Sequence, residues 1–141
     1  MKTILLSLAI ALATTSVTAQ TSKAVSKEIL CKAFTVYKEA GAESMAGKRA
    51  VLDVIENRMR LRDMKACQIM SQKGQFSFYS HGMKVTAKSV PKKALTDYFI
   101  VANMRRVLSR DVEYFHNRSV KPKWTKKLKR VARIGGHIFY E

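Results

Sequence analysis

Acid is what this chain has least of: 10 Asp and Glu stand against 27 Lys and Arg in 141 residues, a formal charge of +17. A surface of that sign seeks polyanions (nucleic acid, anionic lipid headgroups or an acidic cell wall), but charge alone does not choose among them, and a solvated basic face with no specific partner is the plain alternative. Cysteine is nearly absent, so Cys31 and Cys67 permit one intramolecular pairing and no more. The three histidines, His81, His116 and His137, lie far apart and lack the close pair of common zinc hydrolases, which weighs against a metal site. Neither cysteine sits in a recognisable nucleophile context, which weighs against a thiol enzyme. No internal repeat or low-complexity linker divides the chain, and its length suits one domain with one modest core.

Long apolar runs are also missing. The stretch from Ile4 to about Ala13 falls short of the roughly 20 residues a membrane span needs. With Lys2 before it and "VTA" before Gln20, it reads as a secretory signal cut after Ala19, so residues 1–19 are a signal peptide and 20–141 the working domain. An uncleaved, weakly apolar anchor is the alternative. Export places Cys31 and Cys67 where a disulfide persists, and a bridge and two buried thiols both stay open. It also turns the positive surface toward an anionic envelope.

What is present is mostly helical pattern. Ile29, Leu30, Ala33, Phe34, Val36 and Tyr37 recur at helical spacing from about Val25 to Ala40, and Gly41 is expected to end that helix as a left-handed cap. Ser44 is expected to cap a second helix, with Ala46, Ala50, Val51, Val54, Ile55 and Arg58 on one stripe. A short helix is expected around Met64 to Met70, then a loop or small hairpin over "SQKGQFSFYSHGMKV". Ser89 and Pro91 open another helix, whose apolar face takes Ala94, Leu95, Tyr98, Phe99, Ala102 and Leu108. The tail reads as irregular apart from a basic helix near Lys126 to Arg133. The sum is a small, helix-rich domain.

Glu39 falls in the last turn of an apolar helix, where the dipole and apolar neighbours both favour its neutral form. A carboxyl that holds its proton is what glycosidic cleavage asks of a general acid. The plain alternative is an exposed glutamate beside a lysine. Glu43 reads as a second acid, a group that orients Glu39, or a helix-start carboxylate. In "YFHNRSVKPKW" aromatic and basic residues interleave; Tyr114 and Phe115 read as packing, and Trp124 as the better ligand-stacking residue.

Five landmarks stand in order along the chain: "YKEAGAES" at Tyr37 to Ser44, "NRM" at Asn57 to Met59, "QFSF" at Gln75 to Phe78, "FHNRSVKPKW" at Phe115 to Trp124, and "IGGHIFY" at Ile134 to Tyr140. Together they resemble the SleB-like cell wall hydrolases, and a phage lysin and a periplasmic wall-remodelling enzyme both fit that resemblance. The resemblance implies an α+β, predominantly α, lysozyme-like fold of lytic transglycosylase type that acts on peptidoglycan, with Glu39 as catalytic acid and Glu43 at the second acidic position. The family usually shows Gly before the catalytic glutamate and Arg-Gly after the following Ala; here Lys38 and Gly41-Ala42 stand there, and Lys38 is expected to pull the Glu39 pKa down. The resemblance further implies substrate contacts from Gln75, Phe76, Ser77 and Trp124, with His116, Asn117 and His137 lining the cleft or holding its loops. It requires no metal or cofactor. An exported monomer held on an anionic envelope is the expected working form, without specific nucleic-acid binding. A zinc or thiol amidase and a secreted nucleic-acid- or membrane-binding protein are the competing readings.

Overall fold

A computed structural model describes residues 24–141; the signal-peptide expectation lies outside them. Four α-helices come first: α1 (Lys27–Ala40), α2 (Met45–Leu61), α3 (Ala66–Ser71) and α4 (Lys92–Ala102). A three-stranded antiparallel sheet follows, with β1 (Tyr114–Asn117), β2 (Arg130–Ile134) and β3 (His137–Tyr140) in the spatial order β1-β3-β2. A 3-10 turn, Lys123–Lys127, lies between β1 and β2. No helix among the described residues is long and apolar enough to cross a membrane.

The Ser26 hydroxyl accepts from the Ile29 amide to start α1, and its inner face buries Leu30, Phe34 and Val36. Gly41 does not end α1 in the left-handed region. Its φ is −56°, and it is needed because a Cβ there would lie 2.5 Å from the Tyr37 carbonyl oxygen. Ser44 caps α2 through the Gly47 amide, as its position suggests.

Helix α2 is buried without a break from Gly47 to Ile55, so one apolar stripe understates it; Ala46, expected on that stripe, is exposed. A fully enclosed helix must pair every charge it carries. Lys48 reaches Asp97 on α4 at 2.7 Å, and Arg49 bonds Asp53, Glu56 and the Val101 carbonyl. Asp53 accepts from the Val107 and Leu108 amides, while Asn57 donates to the Ser109 and Val112 carbonyls. The polar face of α2 therefore fixes the segment 106–113, which delivers the chain into β1.

On α4, Ala94 and Tyr98 are buried, but Phe99 and Ala102 face solvent, and Leu108 packs from the loop beyond the helix end. Residues 72–91 form loop and turns with no strand. Cys31 and Cys67 are bridged, Cα to Cα 5.2 Å, tying α1 to α3. The Glu28 carboxylate adds a second tie by accepting from the Ala66 amide at 2.6 Å.

The sheet replaces the irregular tail, and β2 occupies residues read as a basic helix. Phe115 pairs with Phe139, whose fully buried ring anchors the sheet to the helices. Gly135, at φ +56°, turns β2 into β3.

Candidate active site

A cavity of about 810 Å³ opens between the helices and the sheet. Glu39 enters it from the last turn of α1 and Arg58 from α2. Gln75, Phe76 and Ser77 come from the loop after α3, and Tyr114, Phe115 and His116 from β1. Val120, Pro122, Trp124, Lys127 and Leu128 close the remaining side from the β1–β2 connection. Sequence positions almost 90 apart thus converge because α1 ends where the sheet packs.

Glu39 is the only carboxylate lining this cavity among the described residues. Burial pushes its pKa up, and the Arg58 charge opposes that. Lys38 does not supply the opposing charge: it is exposed and lies over the Phe34 ring at 5.4 Å. Arg58 is itself 4% exposed, held by Nε donating to the Glu113 carbonyl at 2.7 Å and set over the rings of Phe76 and Phe115. Burial first, then Arg62, lowers its pKa to about 10, so it keeps its charge at neutral pH.

Glu43 is placed elsewhere. Its two carboxylate oxygens accept from the Gly136 amide at 3.1 and 3.2 Å, and a Cβ on Gly135 would collide with Oε2. It clamps the β2–β3 turn and does not line the cavity. His137 lies 3.8 Å from it, beyond hydrogen-bond reach, with its ring edge on Phe115. Burial lowers the His137 pKa against the pull of Glu43, so the ring is neutral and packed. Asn117, exposed, accepts from the Ser119 amide and shapes the turn after β1.

His116 bonds the Tyr140 hydroxyl at 3.0 Å and stacks on its ring. Trp124 packs edge-on to both while remaining 37% exposed. This gives the cavity an aromatic wall with one accessible indole. Phe76, buried at 5% exposure, packs on Phe78 and Arg58 and presents little free face.

The residue that sequence reasoning missed is Arg58, read only as part of an apolar stripe. A base among apolar neighbours in a core helix was the available signal, since it demands partners that the stripe cannot supply. Tyr114, Phe115 and Lys127 were also unassigned to the cavity.

Two solved structures share this architecture. The catalytic domain of Bacillus cereus SleB aligns with a TM-score of 0.63 at 21% identity, covering 82% of this chain and 90% of that one. The catalytic domain of the germination-specific lytic transglycosylase SleB from Bacillus anthracis aligns with a TM-score of 0.62 at 19% identity, covering 85% and 98%. At such identities the likeness speaks for the small lysozyme-like α+β fold. No curated protein matches the chain significantly. The cell wall hydrolase family model matches residues 42–140, a span that includes Glu43, the cavity loop and the whole sheet and begins just after Glu39. With most of its length matched, and the fold in agreement, the chain belongs to the cell wall hydrolase family.

Proposed function

We propose that this cell wall hydrolase cuts the glycan strand of peptidoglycan between N-acetylmuramic acid and N-acetylglucosamine as a lytic transglycosylase, with Glu39 as its acid and base. The observation that carries the reading is a single carboxyl in the cavity, kept toward its protonated form by burial. Inverting hydrolysis needs two carboxyl groups about 6.5 to 9.5 Å apart and retaining hydrolysis two about 5 to 5.5 Å apart. Glu43 is engaged at the Gly136 amide and supplies no second group here.

In the proposed reaction the Glu39 carboxyl gives its proton to the glycosidic oxygen as the bond to the muramoyl C1 breaks. The muramoyl 6-hydroxyl then attacks C1 and returns its proton to the Glu39 carboxylate, closing a 1,6-anhydro ring and restoring the acid. The nucleophile already belongs to the substrate and needs positioning more than activation. Gln75 and Ser77 are suited to hydrogen-bond the acetamido group or that hydroxyl, and the exposed face of Trp124 to stack on a sugar ring. Arg58 stabilises the carboxylate between its two proton transfers.

The protein works outside the cytoplasm, on the wall. We place its export on a signal cut after Ala19, which N-terminal sequencing of the exported protein tests; an intact Met1 would refute the cut. Mass analysis of digests of purified peptidoglycan tests the reaction. Anhydromuramoyl ends are expected, lighter than borohydride-reduced hydrolysis products by one water and two hydrogens, about 20 Da. Reducing muramoyl ends would refute transglycosylation, and free peptides with intact strands would mean an amidase.

A further inference from the structure

We infer that the basic segment roofing the cavity is a binding subsite for the carboxylates of peptide stems, so that this enzyme's substrate is glycan still carrying its peptides. The inference rests on the glycan-cleaving reading above and adds a specificity to it.

Charge in this molecule is segregated. Two bases of α2 are enclosed and neutralised, Lys48 by Asp97 and Arg49 by Asp53. Between Arg118 and Arg133 the chain instead carries eight bases and no acid, and all eight are exposed. Among the described residues only Lys129 of these has a carboxylate partner, Glu141 at 2.6 Å. So dense a cluster repels itself, and apart from Lys129 it contributes nothing to the fold through pairing. An external anion relieves that repulsion.

Position identifies the anion. The same segment supplies Pro122, Trp124 and Lys127 to the cavity wall. Its 3-10 turn is fixed by Thr125, whose hydroxyl donates to the Pro122 carbonyl at 2.8 Å. Lys121, Lys123 and Lys126 flank these lining residues in sequence and are exposed. A cavity of about 810 Å³ is of ordinary ligand-pocket size and takes sugar rings. The peptide branches on the muramoyl lactyl groups leave it at the mouth and bring free carboxylates to these lysines. Phosphodiester polymers of the wall offer the same charge, but one carried on the muramoyl 6-hydroxyl would remove the nucleophile the proposed reaction needs, so the residue being cleaved does not carry one.

The test compares peptide-bearing strands with strands stripped by an amidase, both from walls freed of phosphate polymers. At low salt the wild-type protein is expected to show kcat/KM at least about fivefold higher on peptide-bearing strands. That advantage should vanish near 0.5 M salt, where the screening length is roughly 4 Å. A Lys121→Gln, Lys123→Gln, Lys126→Gln triple variant should lose the preference while cleaving stripped strands as the wild type does. Equal wild-type rates on both strands at low salt would overturn the subsite, as would a preference that survives in the triple variant. A salt-sensitive advantage that appears only when phosphate polymers are left on the wall would assign the segment to those polymers and also overturn it. Failure to cleave either strand would bring down the glycan reading itself, and the subsite with it.

Discussion

Replacing Asp53 tests whether the polar face of α2 holds the strand side of the cavity. The side chain is fully buried and accepts from Arg49 Nε at 3.0 Å and Nη2 at 2.6 Å on one oxygen. Its other oxygen accepts from the amides of Val107 at 2.8 Å and Leu108 at 3.0 Å. Asp53→Ala strands both amides, at about 1 to 3 kcal/mol each. Arg49 keeps Glu56 at 2.8 Å, so its charge is not left alone. The sum lies near 4 kcal/mol, within the roughly 3 to 5 kcal/mol range for breaking a buried ion pair. Asp53→Asn retains one acceptor oxygen and turns its amide nitrogen toward a donor, so about half that loss is expected. Urea unfolding, with a slope of about 2 kcal/mol per molar, should show midpoints lower by about 2 M for Ala and 1 M for Asn. Wall-clearing activity should fall with the folded fraction, because the released segment leads into Tyr114 and Phe115. An Asp53→Ala protein within about 1 kcal/mol of the wild type would refute the reasoning.

Glu39→Gln should cut wall-clearing by at least about a hundredfold, whereas Glu43→Gln, whose amide oxygen still accepts from Gly136, should cost far less; comparable losses from the two would unseat Glu39. Because burial raises the Glu39 pKa, its ionisation is harder in the folded than in the unfolded chain, so stability is lost as pH rises from the ordinary value of 4.5 through the raised one. Glu39→Gln should therefore be more stable than the wild type at neutral pH and not below pH 4, measured by thermal melts. Gly135→Ala should destabilise by about 1 to 3 kcal/mol in urea unfolding, from its positive φ and the collision with Glu43. Thiol titration of denatured, unreduced protein should find no free thiol, and reducing the bridge, with its 36-residue separation, should cost roughly 3 to 4 kcal/mol on the chain-entropy model.

What was legible in the sequence is what short-range chemistry decides. Ser44 announces α2 because its hydroxyl has an amide three residues on to satisfy. The apolar spacing before Glu39 places it in the last turn of α1. The sheet was not legible. Its strands are four or five residues long, and β1 finds β3 only after a connection of some twenty residues. In β2 a register shift between Arg130 and Ala132 breaks the alternation that would have marked a strand, so its bases looked like a helix face. Arg58 was lost for a related reason. Its setting is made by Phe76 and Phe115, rings from a loop and a strand whose approach no helical periodicity encodes.

The scarcity of acid acquires a meaning once each acid is followed to its partner. Seven of the ten are committed to holding the fold. Glu28 binds the Ala66 amide and Glu43 the Gly136 amide, Asp53 and Glu56 bind Arg49, and Asp97 binds Lys48. Glu113 pairs with Arg62 and Glu141 with Lys129. Asp63 and Asp111 are exposed to water, which satisfies them without help. Glu39 alone is partly buried with no hydrogen bond or ion pair to its carboxyl among the described residues. In a chain with 27 bases, leaving one half-buried acid unpaired is a cost that packing does not require. A carboxyl fixed in a lysine or arginine pair would be held ionised and unable to give up a proton. The exception to the pairing rule is therefore the group that the proposed reaction needs, and it stands in the cavity where the substrate would meet it.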